Sequence, residues 1–378
     1  MPAESVRRAL LDVVIVGAGA AGIGCAVVLR AVGAQRLAVL ERGRVGQSFE
    51  QWPEGMRFIT PSFTSNQFGS LDLNAVAIQT SPAFTLRSEH PTGTQYAGYL
   101  RGVAKHFGVR VRRGIDVQSV TRRHNGPGFV LHTTRGIYRT RMLVWAAGEF
   151  QHPRTNVFPG ADLCTHTSHV RSWQDVAGDP VYIIGGSESG IDAATHLATA
   201  GRHVVVLDAR APWTDSSSDP SLVLSPFTLD RLHNARGTGR VELFGGASVT
   251  RVVQDGEGFR ITTTRGESFL SDHPPLLATG FLSSATGVAD HFAWTDEGTA
   301  LLTADDESTT TPGLFLVGPS VRHERVILCF IYKFRQRFAV VARAIGTRLG
   351  LDLAPLEEYR RAQMFLDDLS CCGVECQC

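Results

Sequence analysis

The sequence predicts an α/β protein in which one unit of parallel strand, turn and helix occurs twice, and three observations predict it. In the first copy Val13-Val14-Ile15-Val16 runs into Gly17-Ala-Gly19-Ala-Ala-Gly22, and after a small-residue segment Leu37-Ala-Val-Leu40 ends at Glu41. In the second, Val181-Tyr-Ile-Ile184 runs into Gly185-Gly-Ser187-Glu-Ser-Gly190, and Val204-Val-Val-Leu207 ends at Asp208. Thirdly, Met142-Leu-Val-Trp-Ala-Ala-Gly148, Pro275-Leu-Leu-Ala-Thr-Gly280 and Gly313-Leu-Phe-Leu-Val-Gly318 are short apolar runs that close on glycine, as buried parallel strands do. A single glycine turn is a weak sign, because tight turns use glycine for structural reasons alone. Two turns with acids at matching spacing point to two Rossmann-like dinucleotide-binding domains.

The residues of each turn have separate tasks. Gly17 lets the chain turn tightly, Gly19 lets backbone approach a pyrophosphate, and Gly22 lets the helix pack on the strand, while the helix N-terminus offers unpaired N–H groups to the negative charge. Glu41 and Asp208 stand where a carboxylate accepts from ribose hydroxyls. In the second turn Ser187 takes the place of the middle glycine and brings a side chain near the phosphates.

Between the turns the first unit reads as strand and helix to a helix at Arg101 to His106, then as β-rich runs at Val109-Arg-Val-Arg and Phe129-Val-Leu-His-Thr-Thr. Pro153 to Gly160 reads as a crossing linker. The second unit adds a β-like run at Phe259-Arg-Ile-Thr-Thr-Thr. The polar stretches Asp215 to Pro220 and Asp305 to Pro312 read as surface loops. From about Glu324 to Leu349 the pattern is helical, with Phe330, Phe334, Phe338, Val341 and Ile345 as a core stripe. Lys333, Arg335 and Arg337 read as its solvated face, unless a pyrophosphate nearby recruits one of them.

Composition narrows the function. The chain has 378 residues, enough for two domains, and 37 basic against 36 acidic residues leave a formal charge of +1. That balance argues against nucleic acid and anionic membrane as partners, and no run is apolar for long enough to span a bilayer, so a cytoplasmic protein acting on a small molecule is expected. A homodimer is left open. Of seven cysteines, Cys25, Cys164 and Cys329 are scattered, whereas Cys371, Cys372, Cys376 and Cys378 crowd the last eight residues. Such a cluster suits a soft metal or metalloid held by thiolates, or a disulfide shuttle. Adjacent cysteines bond each other only with strain, which favours Cys372 with Cys376 or Cys378.

Further motifs follow in a specific order. They are Gly46-Gln-Ser-Phe-Glu-Gln-Trp52-Pro, His90-Pro-Thr-Gly-Thr-Gln-Tyr96-Ala-Gly-Tyr-Leu100, Ala147-Gly148-Glu149-Phe-Gln-His-Pro153, Phe158-Pro-Gly160 leading to His166-Thr-Ser168, Asp192-Ala-Ala, and Ala278-Thr-Gly280. With the two glycine turns, these make the chain resemble the two-dinucleotide flavoproteins, and among them the bacterial flavin-containing monooxygenase-like enzymes, over most of its length. Around Phe58-Ile-Thr-Pro-Ser-Phe it also resembles the bacillithiol-disulfide reductases, relatives of the thioredoxin reductase-like flavoproteins.

The resemblance implies that the first turn binds FAD and the second NADPH or NADH, with Trp52, Gly148, Gly280 and Gly318 as further cofactor-binding positions. It implies an FAD-binding domain in two parts, 1–160 and 281–368, interrupted by an NAD(P)H-binding domain at 161–280 and followed by a Cys-rich tail at 369–378. The activity implied is monooxygenation of a small substrate at nitrogen, sulfur, selenium or a carbonyl carbon through a flavin hydroperoxide, with Asn66 near the flavin; His166, as an imidazole that titrates near neutrality, suits either positioning of the nicotinamide or proton transfer. Two departures stand out: His166 lies six residues after Gly160 where the family places a histidine at four, a position held here by Cys164, and Pro319 replaces an aspartate common in related flavoproteins.

Other readings remain open. Cys371-Cys372 resembles the paired cysteines that end mercuric reductases, which makes the alternative a thiol, disulfide or metalloid reductase using the tail; a third is a flavin redox or metal sensor. For the nicotinamide, Asp208 repels a 2′-phosphate, whereas Arg210 and Arg202 can capture one, and NADPH and NADH stay level. His169 and Arg171 are further candidates for positioning it.

Overall fold

The structure is a computed structural model that describes residues 10–63, 71–124 and 126–370. The chain divides into two compact units, one of Met1–Glu50, Pro61–Glu149 and Ser283–Cys378, the other of Gln51–Thr60 and Phe150–Leu282.

In the first unit the strand Leu11–Val16 lies between Leu37–Glu41 and Gly136–Trp145, parallel to both, with Val13 opposite Leu37 and Met142. Val13, Val14 and Ile15 are wholly buried, as the unbroken apolar run requires of a parallel strand covered on both faces. Seven strands make up the sheet. Gly136–Trp145 is long enough to serve two neighbours on one side: its first half pairs antiparallel with Phe129–Thr133, and its second half pairs parallel with Leu314–Leu316. The run Gly313 to Gly318 therefore returns to the first sheet. Helix Ala20–Ala31 is buried from Ala20 to Leu29, and its glycine at 24 lies against the Phe338 ring and the Val76 carbonyl. Helix Gly93–His106 opens on a capping box between Thr92 and Gln95 and ends on Lys105 and His106, cations suited to the negative end of the helix dipole.

The helical pattern expected from Glu324 onward starts later and is broken. Arg322–His323 and Val326–Ile327 form a hairpin, helix begins at Ile331, tightens through Arg335–Arg337 and resumes as Phe338–Leu349, closed by Gly350 in the left-handed region at φ 66°. The stripe from Phe334 through Phe338, Val341 and Ile345 is core, with Phe330 half-buried. The cations beside it are not solvated: Lys333, Arg335 and Arg337 are 8, 5 and 1% exposed. Nor is Asp305 to Pro312 a surface loop, since Asp306, Glu307, Ser308 and Thr311 are buried. Each buried charge has its partners. Arg337 donates to Asp306 at 2.8 and 3.0 Å, Arg335 donates to the Asp72 and Ala75 carbonyls, and buried Glu307 takes two bonds of 2.6 Å from the exposed Arg348.

In the second unit five parallel strands run in the order Val241–Gly245, Val204–Asp208, Val181–Ile184, Leu276–Leu277, Thr165–His166. Alternate residues go to opposite faces. Ile183 and Val206 pack with Ile191 and Leu197 of helix Glu188–Thr199 and Leu232 of helix Pro226–Arg236. Tyr182, Ile184, Val205 and Leu207 pack with Val252 and Ile261 of an antiparallel sheet, Val249–Asp255, Gly258–Thr263 and Ser268–Ser271. Among the described residues no helix is long and apolar enough to cross a membrane.

Candidate functional site

The two glycine turns are built alike. Gly17 and Gly185 have φ of 102° and 105°, and a Cβ at either would run into a carbonyl oxygen, of Ala146 or Ala278. Those alanines are fixed in turn, since their N–H groups donate to Val16 and Ile184 at 2.9 and 2.8 Å. A Cβ at Gly22 or Gly190 would land on the carbonyl of Gly17 or Gly185. Four of the six key positions are thus glycine because protein backbone crowds them. Gly19 differs: a Cβ there meets nothing within 4 Å. Its neighbourhood is open, as approach by an outside group requires. Ser187 adopts φ −79° and ψ −169°, beside −81° and −166° at Gly19, and is exposed, so the serine fits without moving the turn. Neither helix beyond carries a side-chain cap, and its first N–H groups are left for an anion.

The acids repeat as faithfully. Glu41 accepts from the N–H of Ala18 at 2.8 Å and of Gly43 at 2.7 Å; Asp208 accepts from Gly186 at 2.7 Å and Arg210 at 2.8 Å. Each carboxylate ties its strand end to its own glycine turn and keeps lone pairs for a ribose. Gly148 and Gly280, where the strands beyond each turn end, stand in open space, and Gly318 lies 3.2 Å from the Ala21 side chain by its virtual Cβ. Trp52 belongs to the second unit, its ring 5.0 Å from Phe58.

The cations separate clearly. Arg210 is exposed beside Asp208. Arg202 is not a phosphate ligand: its guanidinium donates to the Val176 and Gly178 carbonyls, just before the strand that Asp208 ends, and ligands of such sheets bind at the carboxyl ends. Arg171 donates to the Gln51 carbonyl. His169 is exposed, its ring 6.2 Å from that of His166.

His166 is 2% exposed and both ring nitrogens are occupied. Nδ1 takes the Ser168 N–H at 3.2 Å with the Ser168 hydroxyl at 2.8 Å, and Nε2 donates to the Gly280 carbonyl at 3.1 Å. The imidazole therefore holds the glycine that ends Leu276–Leu277, and burial lowers its pKa from the ordinary 6.5. An unfolded chain binds this proton more readily than the folded one, so the neutral imidazole's contribution is complete above about 6.5 and is lost as pH falls below it. Melting curves on either side of that pH are expected to show a larger acid-side loss in the native protein than in His166→Gln; equal losses would contradict the assignment.

Asn66 and the cysteines Cys371, Cys372, Cys376 and Cys378 lie outside the described residues. Among those described, no group of histidine, cysteine and acidic residues could hold a metal ion. Burial pushes the Cys25 thiol up to about 12, with Asp306 adding to it, and burial then Asp162 do the same for Cys164. Neither is a thiolate near neutrality. Three further acids have partners elsewhere in the chain. Glu149, next to Gly148, has its pKa raised by burial against the opposing pull of Arg322 and Ser320. Glu188, inside the second turn, accepts from the Ser225 N–H and the Thr228 hydroxyl, both at 2.5 Å. Asp306 with His323 is the third. Nothing local marks these residues, since each gains its partner across a long sequence separation.

The family model of the pyridine nucleotide-disulphide oxidoreductases matches residues 14–318. The chain is 28% identical over 247 residues to bacilliredoxin reductase Bdr of Bacillus subtilis, an alignment that takes in 65% of this chain and 70% of that protein. Its fold is similar to the bacillithiol disulfide reductase of Staphylococcus aureus, with a TM-score of 0.72 and 21% identity over 89% of this chain and 98% of that one. It is also similar to the flavin-containing monooxygenase of Stenotrophomonas maltophilia, with a TM-score of 0.67 and 17% identity over 90 and 99%.

Proposed function

The chain belongs to the pyridine nucleotide-disulphide oxidoreductase family, and from that premise we propose that it is an FAD-dependent oxidoreductase that draws hydride from NADPH or NADH. The observation that carries the reading is the pair of turns in which crowded glycines flank an open one. Gly19, free of neighbours within 4 Å, and the uncapped helix behind it fit a diphosphate, and Glu41 fits the adjoining ribose. Ser187 and Asp208 offer the same to the nicotinamide cofactor. FAD held there supplies two-electron chemistry that side chains lack. The residues do the rest: they bind two anionic cofactors by backbone N–H groups, fix the ribose ends with carboxylates, and keep the turns rigid.

For the electron acceptor two readings compete. The monooxygenase reading inserts oxygen into a small soft heteroatom or carbonyl substrate. A specific observation favours the other, reduction of a thiol-class acceptor or metalloid: His166 is spent on Ser168 and Gly280 and has no ring nitrogen left for a substrate. The identity with a bacilliredoxin reductase supports the same side. Anaerobic turnover of NAD(P)H with a small aromatic disulfide tests it; oxygen-dependent turnover with label from ¹⁸O₂ in the product would overturn it. Cys25 and Cys164, with thiols held up by burial, are unsuited to thiol exchange, and this reading gives the thiol relay to the paired cysteines of the tail. Truncation before Cys371 is expected to leave FAD content and nicotinamide-driven bleaching unchanged while disulfide turnover falls about 100-fold. Loss of FAD on truncation would contradict that.

Cofactor choice rests on one exposed cation. Arg210→Ala is expected to raise KM for NADPH about tenfold, a loss of roughly 1.4 kcal/mol, and to spare NADH. Equal changes for the two would remove Arg210 from the 2′-phosphate.

A further inference from the structure

Asp306 and His323 make the shortest contact of a carboxylate with an imidazole among the described residues, 2.5 Å from Nε2 to Oδ1, against 3.2 Å for His203 with Asp179 and 3.6 Å for His196 with Asp192. Asp306 is wholly buried, and Arg337, itself 1% exposed, donates to both its oxygens, sharing Oδ1 with His323, while also donating to the Ala304 and Leu366 carbonyls. The carboxylate is therefore fixed, and it fixes the imidazole with Nε2 as the donor. Nδ1 carries no hydrogen bond to a described residue, and the side chain keeps 13% exposure. A neutral amide would staple the hairpin Arg322–His323 and Val326–Ile327 without burying an anion. What a buried anion adds is control over which ring nitrogen bears the proton.

The pair also stands in the right place. The Leu316 N–H donates to the Asp306 carbonyl at 2.9 Å and the Val317 N–H to Trp145 at 3.1 Å, which sets Asp306 at the carboxyl end of the first parallel sheet. His323 follows five residues after Gly318, whose virtual Cβ approaches Ala21 of the first glycine turn. Ligands of such sheets bind beyond the carboxyl ends of the strands.

Resting on the function proposed above, we propose that His323, oriented by Asp306, is the proton relay of the FAD site. Reduction of a disulfide, NAD(P)H + H⁺ + RSSR′ giving NAD(P)⁺ + RSH + R′SH, breaks one S–S bond, forms two S–H bonds and consumes one proton beyond the hydride. Oxygenation, NAD(P)H + H⁺ + O₂ + substrate giving NAD(P)⁺ + H₂O + oxygenated substrate, consumes one as well. Either acceptor thus needs a proton from solvent, and Nδ1 loads it there and releases it inward, with Nε2–H kept on Asp306 throughout.

The test uses His323→Gln, which preserves a donor to Asp306, and His323→Ala, each in the full-length, flavin-loaded protein. Flavin content and anaerobic bleaching by NAD(P)H are expected to stay within about twofold of the native protein, while reoxidation by the acceptor slows about 100-fold in both variants. Imidazole added to the medium is expected to restore the alanine variant. Independently of turnover, ¹⁵N spectra of the histidines are expected to show His323 as the Nε2–H tautomer with a bare Nδ1. Reoxidation at the native rate in His323→Gln, or a protonated Nδ1 with bare Nε2, would overturn the relay alone. A protein that takes up no flavin overturns the functional reading and the relay with it.

Discussion

Gly17→Val is expected to yield a chain that purifies without flavin and cannot be reconstituted with it. At φ 102° a β-branched residue has no unstrained conformation, and its Cβ would occupy the position of the Ala146 carbonyl oxygen. Relief requires the strand end at Val16 and the strand end at Trp145 to separate, which opens the turn that is to hold the diphosphate. Gly19→Val isolates binding from folding. That position has an ordinary extended backbone and open surroundings, so valine fits the protein and fills only the space the diphosphate needs. We expect Gly19→Val to melt as the native protein does and to bind FAD at least about 100-fold more weakly, roughly 2.7 kcal/mol. Flavin absorbance per chain after gel filtration measures both. Full flavin in either variant would remove the first turn as the binding site.

The second large effect falls on stability. Arg337→Met is expected to lower unfolding free energy by roughly 3–5 kcal/mol, because it leaves Asp306 charged and buried without its main partner. Asp306 is wholly inside, and Arg337 supplies it with three of its hydrogen bonds, so neither water nor His323 alone replaces them. Joint replacement, Arg337→Met with Asp306→Leu, removes both charges and is expected to recover much of the loss. Urea midpoints of the native protein and the two variants decide it; Arg337→Met as stable as the native protein would show that the pair contributes little.

What was legible in the sequence follows physical range. The acids at 41 and 208 bond within their own strand-turn-strand unit, and the strands and glycine turns, although they pack on Ala146 and Ala278 far along the chain, announce themselves as unbroken apolar runs that end in glycine. Ser187 keeps the backbone angles of Gly19 and its side chain is exposed, so the serine leaves the turn itself unchanged. The failures came where charge was read as exposure. Arg337 pairs with Asp306 across 31 residues and Arg348 with Glu307 across 41, and no local pattern distinguishes a cation awaiting a buried partner from one facing water. The helix expected from Glu324 gave way to a hairpin there, Arg322–His323 with Val326–Ile327, and its His323 bonds Asp306. Arg202 was placed by its charge near a phosphate, but three-dimensional position at the start of a strand outweighs sequence proximity to Asp208.

The proposed activity requires one polypeptide to hold a flavin in its first glycine turn and to accept hydride from a nicotinamide in its second. Anaerobic titration of the purified, FAD-loaded protein with NADPH or NADH, followed by the flavin absorption band, tests it most directly. About one FAD per chain, bleached by a single equivalent of reduced nicotinamide and left yellow by Gly185→Val, is the result expected. A colourless protein that takes up no FAD, or a bound flavin that neither nicotinamide reduces, would contradict it.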